Sequence, residues 1–574
     1  MNLLFIDFGS SFIKYSIYDE LTGEYISENK IEFPKPIIDD GIHFHVSTKE
    51  ISDSVFKIIG ESEKHDFKKM LISVQMHGYI TKKASGEFSD YVSWRDKSGD
   101  IKKKNFQNID INKFGTSFKS NLPLTKIEKF QANKEFFTLG SYLAWILCGK
   151  NITHITDACA SGFFYAETGE KNEFSERIKM PCVSKSICVI GEHGTAKVYT
   201  PFGDHQVSFL GSGANDNAYL LNIGTATQIS CIEDENFICK SCEKRPYFYD
   251  SKRLFTISGI TGGIILYKER ENKEFIKQLK AAIKILPKKK KLLVGGGGSA
   301  YIYNYLREEM LRSGIECEYL NKNIGMEGLK MIAETIKIKA GVMLSEVPFG
   351  NFPIIVKNSQ LDFYIIDNEH GAFDYSVLED LIVTSNLVKQ NTIIRIGDNS
   401  RNNITKLADM GAKGFLLPMT NTKSDIKKTV EYAKYPPIGK RGVSTTRAHT
   451  FYNPPKLSDY MKTANETMKV YAQIETVSGV QNIEEILSVN GVDGVFIGPN
   501  DLSIDFNCIG DTAAICKQID IISRACKKLN KPWGIITGDK DLTEFSINCG
   551  VNMISCGSEL NMLTEGCKKV KNMF

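Results

Sequence analysis

No stretch of this 574-residue chain approaches the ~20 apolar residues that a membrane-spanning helix requires, and membrane insertion is not expected. The opening, MNLLFIDFGSS, has no basic segment, and its apolar run stops at Asp7, so no secretory signal is expected there. An excess of one charge sign is also missing. The 72 Lys+Arg stand against 68 Asp+Glu, and a formal net charge of +4 is too small at this length for a dedicated nucleic-acid binder. No short tandem repeat or low-complexity tract stands out. The 14 cysteines are dispersed rather than arranged as a disulfide framework, which fits a reducing cytosol and sets a cytoplasmic location as the expectation. Cys239 and Cys242, in CKSC, have metal or redox spacing. No second CxxC or neighbouring histidine completes a zinc set, so two thiols in a loop are expected.

What is present is ordinary globular composition, 42% hydrophobic and 24% charged. The length suits roughly three or four domains. Two pattern regimes divide it. Residues 1–335 open on strands NLLFIDFG, FIKYSIYD and GEYISENKIEF, continue through helix-length segments such as FTLGSYLAWILCG, and start again with AYLLNIGTATQISCIE. A strand–turn–strand opening that recurs suggests two similar lobes. From about residue 340, short apolar runs alternate with helix-like stretches: MLSEVPF (343–349), DFYIID (362–367), TIIRIG (392–397), GFLLPM (414–419), KVYAQIE (469–475), GVFIGP (494–499), WGIITG (533–538) and MISCG (553–557). Eight buried strands alternating with helices predict a (β/α)8 barrel. The expected class is α/β, with lobes over 1–200 and 201–336 and a barrel over 337–574. The join near ETIKIKAGVML has no Pro/Ser linker, which predicts a short or helical connection.

In IDFGSSFIKYSIYD a strand delivers Asp7 into the turn Gly9-Ser10-Ser11. Turn amides and hydroxyls can cradle phosphate, and Asp7 needs a metal such as Mg²⁺ between itself and that phosphate. NIGTATQIS repeats the logic with Gly224, Thr225 and Thr227, and VGGGGSA places Gly296, Gly297 and Ser299 between a strand and a helix, suited to a nucleotide. Two phosphate hairpins followed by a glycine-rich turn have the order of the actin/hexokinase-type, ribonuclease H-like ATPase fold. With SVQMHG (73–78), SWRD (93–96) and GDHQ (203–206), residues 1–335 resemble the FGGY carbohydrate kinases of the xylulokinase and sedoheptulokinase kind. The resemblance implies ATP with Mg²⁺ as cofactor, Met76, His77, Trp94 and Asp96 at the sugar, and Asp204 as general base. Two departures are visible. Ser98 stands where that family has an arginine after the WxD segment, and the stretch between SGITGGI and LLVGGGG is much shorter, so the second lobe is trimmed.

In the second regime, strand ends carry Asp367, Glu369 and His370, then Arg395, then Gln473 and Glu475, then Asp501 in GPNDLS. The C-terminal ends of the strands form the active face of such barrels. Glu475 and Asp501 are 26 residues apart, about one βα unit, and two carboxylates with water suit Mg²⁺, Mn²⁺ or Co²⁺. No lysine at an equivalent strand end offers itself for a Schiff base, which favours a metal-dependent mechanism. DxEHG, PPxGxRG (436–442), QIET and GPxDLS, in this order, resemble the class II pyruvate aldolases of the HpcH/HpaI type. The resemblance implies Glu475 and Asp501 as metal ligands, Arg395 at the pyruvate carbonyl or enolate oxygen, and His370, oriented by Asp367, as acid/base. It further implies that Gln473 with Gly498–Pro499 shapes the keto-acid pocket and that the barrel forms a homo-oligomer.

The combined expectation is a bifunctional enzyme. One half phosphorylates a sugar or sugar acid with ATP, and the other reversibly cleaves a 2-keto-3-deoxy-type acid to pyruvate and an aldehyde. The partners are small molecules, neither nucleic acid nor membrane. The rivals are an aldolase carrying a non-catalytic kinase-like module and a citramalyl- or malyl-CoA-type lyase. The loops that would name the sugar and the aldehyde are the least readable segments.

Overall fold

The computed structural model describes residues 1–100, 111–129, 134–176, 178–224, 227–239, 241–248, 252–260, 269–529 and 531–573. Two compact units divide the chain, Met1–Ile336 and Lys337–Phe574. No helix among the described residues is long and apolar enough to cross a membrane.

In the first unit, a run such as Leu3–Leu4–Phe5–Ile6 is apolar on both faces, and all four residues are fully buried. That is the composition of a strand covered on both sides. The strand Asn2–Phe8 pairs antiparallel with Phe12–Asp19 and parallel with Phe67–Val74, and Glu24–Glu32 extends the sheet beyond Phe12–Asp19. The second sheet repeats this plan. Ala218–Ile223 pairs antiparallel with Thr227–Asp234 and parallel with Lys291–Gly295, with Lys252–Ile260 outside the hairpin and Glu316–Tyr319 beyond the parallel pair. Two lobes built on one topology are thus present.

Helices Asp204–Ser212 and Ile324–Ile336 cross between the lobes with their backbones in contact. A Cβ on Gly211 would lie 2.0 Å from the Ile324 carbonyl oxygen, and one on Gly328 would lie 2.0 Å from that of Val207, so each crossing point requires glycine. Leu3, Phe5 and Leu71 of the first sheet, Leu220 and Leu293 of the second, and Val207, Leu329 and Ile332 of the helices form one apolar cluster. This crossing fixes Asp204 at the start of its helix. The adjacent CKSC segment differs from the expectation of two loop thiols. Cys239 and Cys242 are bonded as a disulfide, with Cα atoms 5.8 Å apart, within bridging reach. Both are buried against the core of the second lobe.

In the second unit, eight parallel strands close into a barrel: Lys339–Leu344, Phe363–Asn368, Asn391–Ile396, Gly414–Leu417, Lys469–Ile474, Gly494–Ile497, Trp533–Ile536 and Met553–Ser558. The first strand starts and ends earlier than the expected 343–349. Its successor residues Ser345, Glu346 and Val347 turn their amides to the carboxylate of Glu559 rather than to a ladder, and Pro348 has no amide to give. Only Lys337 and Ile338 separate this strand from the preceding helix. Alternation does the rest. Phe363 and Ile365, Ile393, and Tyr471 fill the barrel interior, while Tyr364, Ile366, Ile394 and Val470 face the surrounding helices.

Candidate functional site

Extending the inward-facing register of those strands by one step brings charge to the mouth. After Phe363 and Ile365 comes Asp367, after Ile393 comes Arg395, and after Tyr471 come Gln473 and Glu475. Asp367 and Arg395 are register partners on neighbouring strands. The guanidinium donates to both carboxylate oxygens, Nε to Oδ1 at 3.0 Å and Nη2 to Oδ2 at 2.7 Å. Arg395 Nε also lies 3.3 Å from Glu369 Oε2. Burial alone would raise the Asp367 carboxyl, but Arg395 and the loop amides hold it below the usual carboxylate range. Asp367 Oδ1 accepts from the backbone amides of Glu369 at 3.1 Å and His370 at 3.3 Å. Asp367 therefore fixes His370 through its backbone. The expected side-chain orientation differs, since the His370 ring is exposed and its Nε2 is 3.8 Å from Glu369 Oε2.

Across the mouth, Glu475 is buried, and its Oε1 accepts from the Met419 amide at 2.5 Å. Met419 sits at φ 46°, a strained position for a residue with a side chain, and this turn aims its N–H at the carboxylate. Gln473 Nε2 donates to Glu475 Oε2, while Gln473 Oε1 is buried without a partner among the described residues. A Cβ on Gly498 would meet Glu475 Oε2 at 2.6 Å and Gln473 Nε2 at 3.1 Å, so the glycine is required for this packing, and Pro499 follows it as the first residue of the helix carrying Asp501. Burial raises Glu475 above the usual carboxylate range, and the charges of Glu369 and Asp501 add to it. Burial raises Glu369 as well, with Asp501 contributing and Arg395 opposing. Asp501 is exposed in the first helical turn.

A cation fits this donor set. The charge of Asp501 contributes to raising Glu475, the amide oxygen of Gln473 is buried without a partner among the described residues, and all the donors are hard oxygens. No cluster of three or more His, Cys, Asp or Glu suited to a metal occurs among the described residues, so a cation here would take most of its ligands from water and substrate. Glu369 and Met419 were given no role by sequence reasoning. Glu369 lies inside the DxEHG segment, whereas the Met419 contribution is a backbone amide and has no side-chain signal. Arg441 of PPxGxRG is buried against Asp409, Nη2 to Oδ1 at 2.9 Å, and serves packing.

In the first unit, Asp204 opens its helix, and burial, reinforced by the charge of Asp7, pushes its carboxyl up to about 8. Asp7 itself accepts from Ser73 Oγ at 2.7 Å. Met76 is buried against Gly203, where a Cβ would meet its Sδ at 2.6 Å. His77 takes a left-handed backbone, φ 65°, and its Nδ1 is 2.8 Å from the Ala160 carbonyl oxygen. Burial, with Arg245 nearby, pushes its imidazole down to about 4. Gly9 bonds its amide to Asp7 O and Phe12 O, both at 3.1 Å, closing the first hairpin turn, with Ser10 half-buried and Ser11 exposed. In the second hairpin Gly224 is half-buried and the hydroxyl of Thr227 is buried without a partner among the described residues, while Thr225 lies outside them. Gly296, at φ 94°, packs on Asn222 and Ile223, whereas a Cβ on Gly297 would meet open space. Ser299 closes the turn by donating to Gly296 O at 2.6 Å.

Trp94 lines a cavity of about 490 Å³ with Phe44 and Lys119. Asp96 does not face it. Its side chain is fully buried, with Lys126 Nζ at 2.9 Å, His45 Nε2 at 3.3 Å, and bonds from Ser98 N at 3.0 Å and Ser98 Oγ at 2.6 Å. Burial would raise this carboxyl, yet those partners hold it far below the usual range. Asp96 thus anchors the Trp94 loop, with Lys126 as its buried counter-charge.

A closed (β/α)8 barrel carries a guanidinium and the carboxylates of Glu475 and Asp501 at its mouth. A family model described as HpcH/HpaI aldolase/citrate lyase matches residues 354–565. The hydroxypyruvate/pyruvate aldolase of Roseobacter denitrificans is 32% identical over 224 residues, 38% of this chain and 85% of that protein. A 5-keto-4-deoxy-D-glucarate aldolase of Klebsiella pneumoniae is 29% identical over 248 residues, 42% of this chain and 96% of the relative. Through its second unit the chain belongs to the HpcH/HpaI aldolase/citrate lyase family. The N-terminal region shares its fold with carbohydrate kinases. A ligand-bound xylulose kinase of Lactobacillus acidophilus matches with 17% identity and a TM-score of 0.52, covering 58% of this chain and 89% of that one. A gluconate kinase of the same organism matches with 18% identity and a TM-score of 0.51 over the same shares.

The buried Asp96–Lys126 pair yields a stability prediction. Lys126→Ala leaves a buried, uncompensated carboxylate and should cost the first unit about 3–5 kcal/mol. Urea unfolding of the full chain should show an early transition, and an unchanged curve would contradict the structural role given to Asp96.

Proposed function

We propose that the second unit is a divalent-metal-dependent aldolase acting on 2-keto acids and that the first is an ATP-dependent sugar or sugar-acid kinase. The observation that carries the aldolase reading is Arg395, held by Asp367 on the strand beside it and sharing the mouth with Glu475 and Asp501. Asp367 and Glu369 take the Nε and one Nη2 donor of Arg395, leaving Nη1 for the carbonyl oxygen of the substrate. A cation held by Glu475 and Asp501 supplies the further positive charge that an enolate oxygen needs. Gln473 and the Gly498 backbone shape the wall on which the carboxylate end rests. His370, exposed and beside Glu369, takes the proton of the aldol hydroxyl as the carbon–carbon bond breaks, and the enolate is protonated at C3 to give pyruvate.

Glu475→Gln and Asp501→Asn should each lower Mn²⁺ affinity in titration calorimetry at least tenfold and cleavage at least a hundredfold, with circular dichroism unchanged. Borohydride should trap no substrate. Full cleavage in EDTA, or a trapped lysine adduct, would replace this mechanism with an imine.

The kinase reading rests on Asp204, a half-buried carboxylate at the start of its helix whose affinity for protons is raised by desolvation and by Asp7. A base at a sugar hydroxyl works in its ionised form, so phosphorylation should fall as the pH drops through about 8 in the free protein. Asp204→Asn should remove that dependence together with ~10²–10⁴-fold of the rate. Nucleotide binding without phosphorylation of any sugar would instead make the trimmed first unit a binding module.

A further inference from the structure

A cavity of about 360 Å³ at the barrel mouth is lined by Met343 of the first strand, by Pro499 and Asn500 next to Asp501 in sequence, and by the segments after the sixth, seventh and eighth strands. Because it includes Pro499, which the aldolase reading places at the keto acid, that reading assigns it the part of a substrate beyond the new hydroxyl. In (β/α)8 barrels this side of the mouth, after the seventh and eighth strands, is where phosphate groups are commonly bound by helix N-termini.

Here the protein's own carboxylates occupy two helix N-termini and a nearby amide nest, while the last helix starts at Ser558 with Asn561 Oδ1 accepting from the Ser558 amide. Asp511 caps the helix Thr512–Lys528, its Oδ1 accepting from the Ala514 amide at 2.9 Å. Asp539 caps the helix Lys540–Asn548, its Oδ1 accepting from the Leu542 amide at 2.8 Å. Glu559, buried at the head of the last helix, fills the amide nest of Ser345, Glu346 and Val347 at 2.9, 2.6 and 3.2 Å. Asp511 and Asp539 both line the cavity, and no lysine, arginine or histidine does so among the described residues. The remaining polar lining is neutral: the amides of Asn500 and Asn561 and the hydroxyls of Thr512, Thr537 and Ser558. Two carboxylates with no cation repel an anionic tail, while amides and hydroxyls suit one rich in hydroxyl groups.

We infer that this cavity selects an uncharged, hydroxylated aldehyde and rejects aldehydes carrying a phosphate or carboxylate tail, an inference that rests on the aldolase reading. In the synthetic direction one C3 proton leaves pyruvate, C3 bonds to the aldehyde carbon, and the aldehyde oxygen takes up a proton as the new hydroxyl. No oxidant or other co-reactant is needed.

The test compares two aldehydes of one carbon skeleton, D-glyceraldehyde and D-glyceraldehyde 3-phosphate, with pyruvate, Mn²⁺ and the full chain. Glyceraldehyde should be favoured at least a hundredfold in kcat/KM. The double variant Asp511→Asn/Asp539→Asn, whose asparagines still cap their helices, should reduce that ratio at least tenfold. Equal or better use of the phosphate ester, or a ratio untouched by the double variant, overturns the inference while leaving the aldolase in place. Absence of addition with either aldehyde overturns both.

Discussion

The second unit depends on one lateral contact, the two-point grip of Asp367 on Arg395. Parallel strands put the two residues level with each other, and the inward register turns both toward the mouth. A buried guanidinium without a counter-charge would be costly, and a buried carboxylate equally so; each makes the other tolerable. The grip also leaves the outer edge of the guanidinium free and draws Glu369 and the His370 backbone into position. Opposite, Glu475 is steadied by one backbone amide and one side-chain amide, and Gly498 must lack a Cβ for this to fit. The chemistry therefore rests on strand register more than on loop conformation.

Much of this was legible in the sequence because barrel strands advertise themselves. Short apolar runs at regular spacing end in charged residues, and eight of them close a barrel. Asp367, Arg395, Gln473 and Glu475 stand at those ends. The first strand was read too late because VPF continues the apolar pattern, and nothing in a sequence shows that Ser345–Val347 give their amides to a carboxylate more than two hundred residues away. The Met419 amide escaped for the same reason. Asp96 was read as sugar-facing from a motif, yet its neighbours Lys126 and His45 come from distant segments and bury it.

The first unit shows how a changed motif can keep its physics. Ser98 bonds Asp96 locally, and Lys126 brings a positive charge to it from another part of the chain. The lobes keep their repeated sheets and their glycine-mediated helix crossing despite the short stretch before Lys291. The acidic lining of the barrel cavity bears on how two such units could work in sequence. If the proposed activities hold, a phosphate on the aldehyde portion before cleavage would meet Asp511 and Asp539.

The central claim is that the barrel mouth stabilises an enolate of pyruvate, and exchange of the pyruvate methyl protons in deuterium oxide reads this without any aldehyde. With Mn²⁺ or Mg²⁺ the full chain should catalyse exchange, followed by proton NMR with Mg²⁺. Arg395→Lys, which keeps a charge but not the two-point grip on Asp367, should slow it by at least tenfold, and a chelator should stop it. Exchange that persists in the chelator, or that is indifferent to Arg395, would contradict the account.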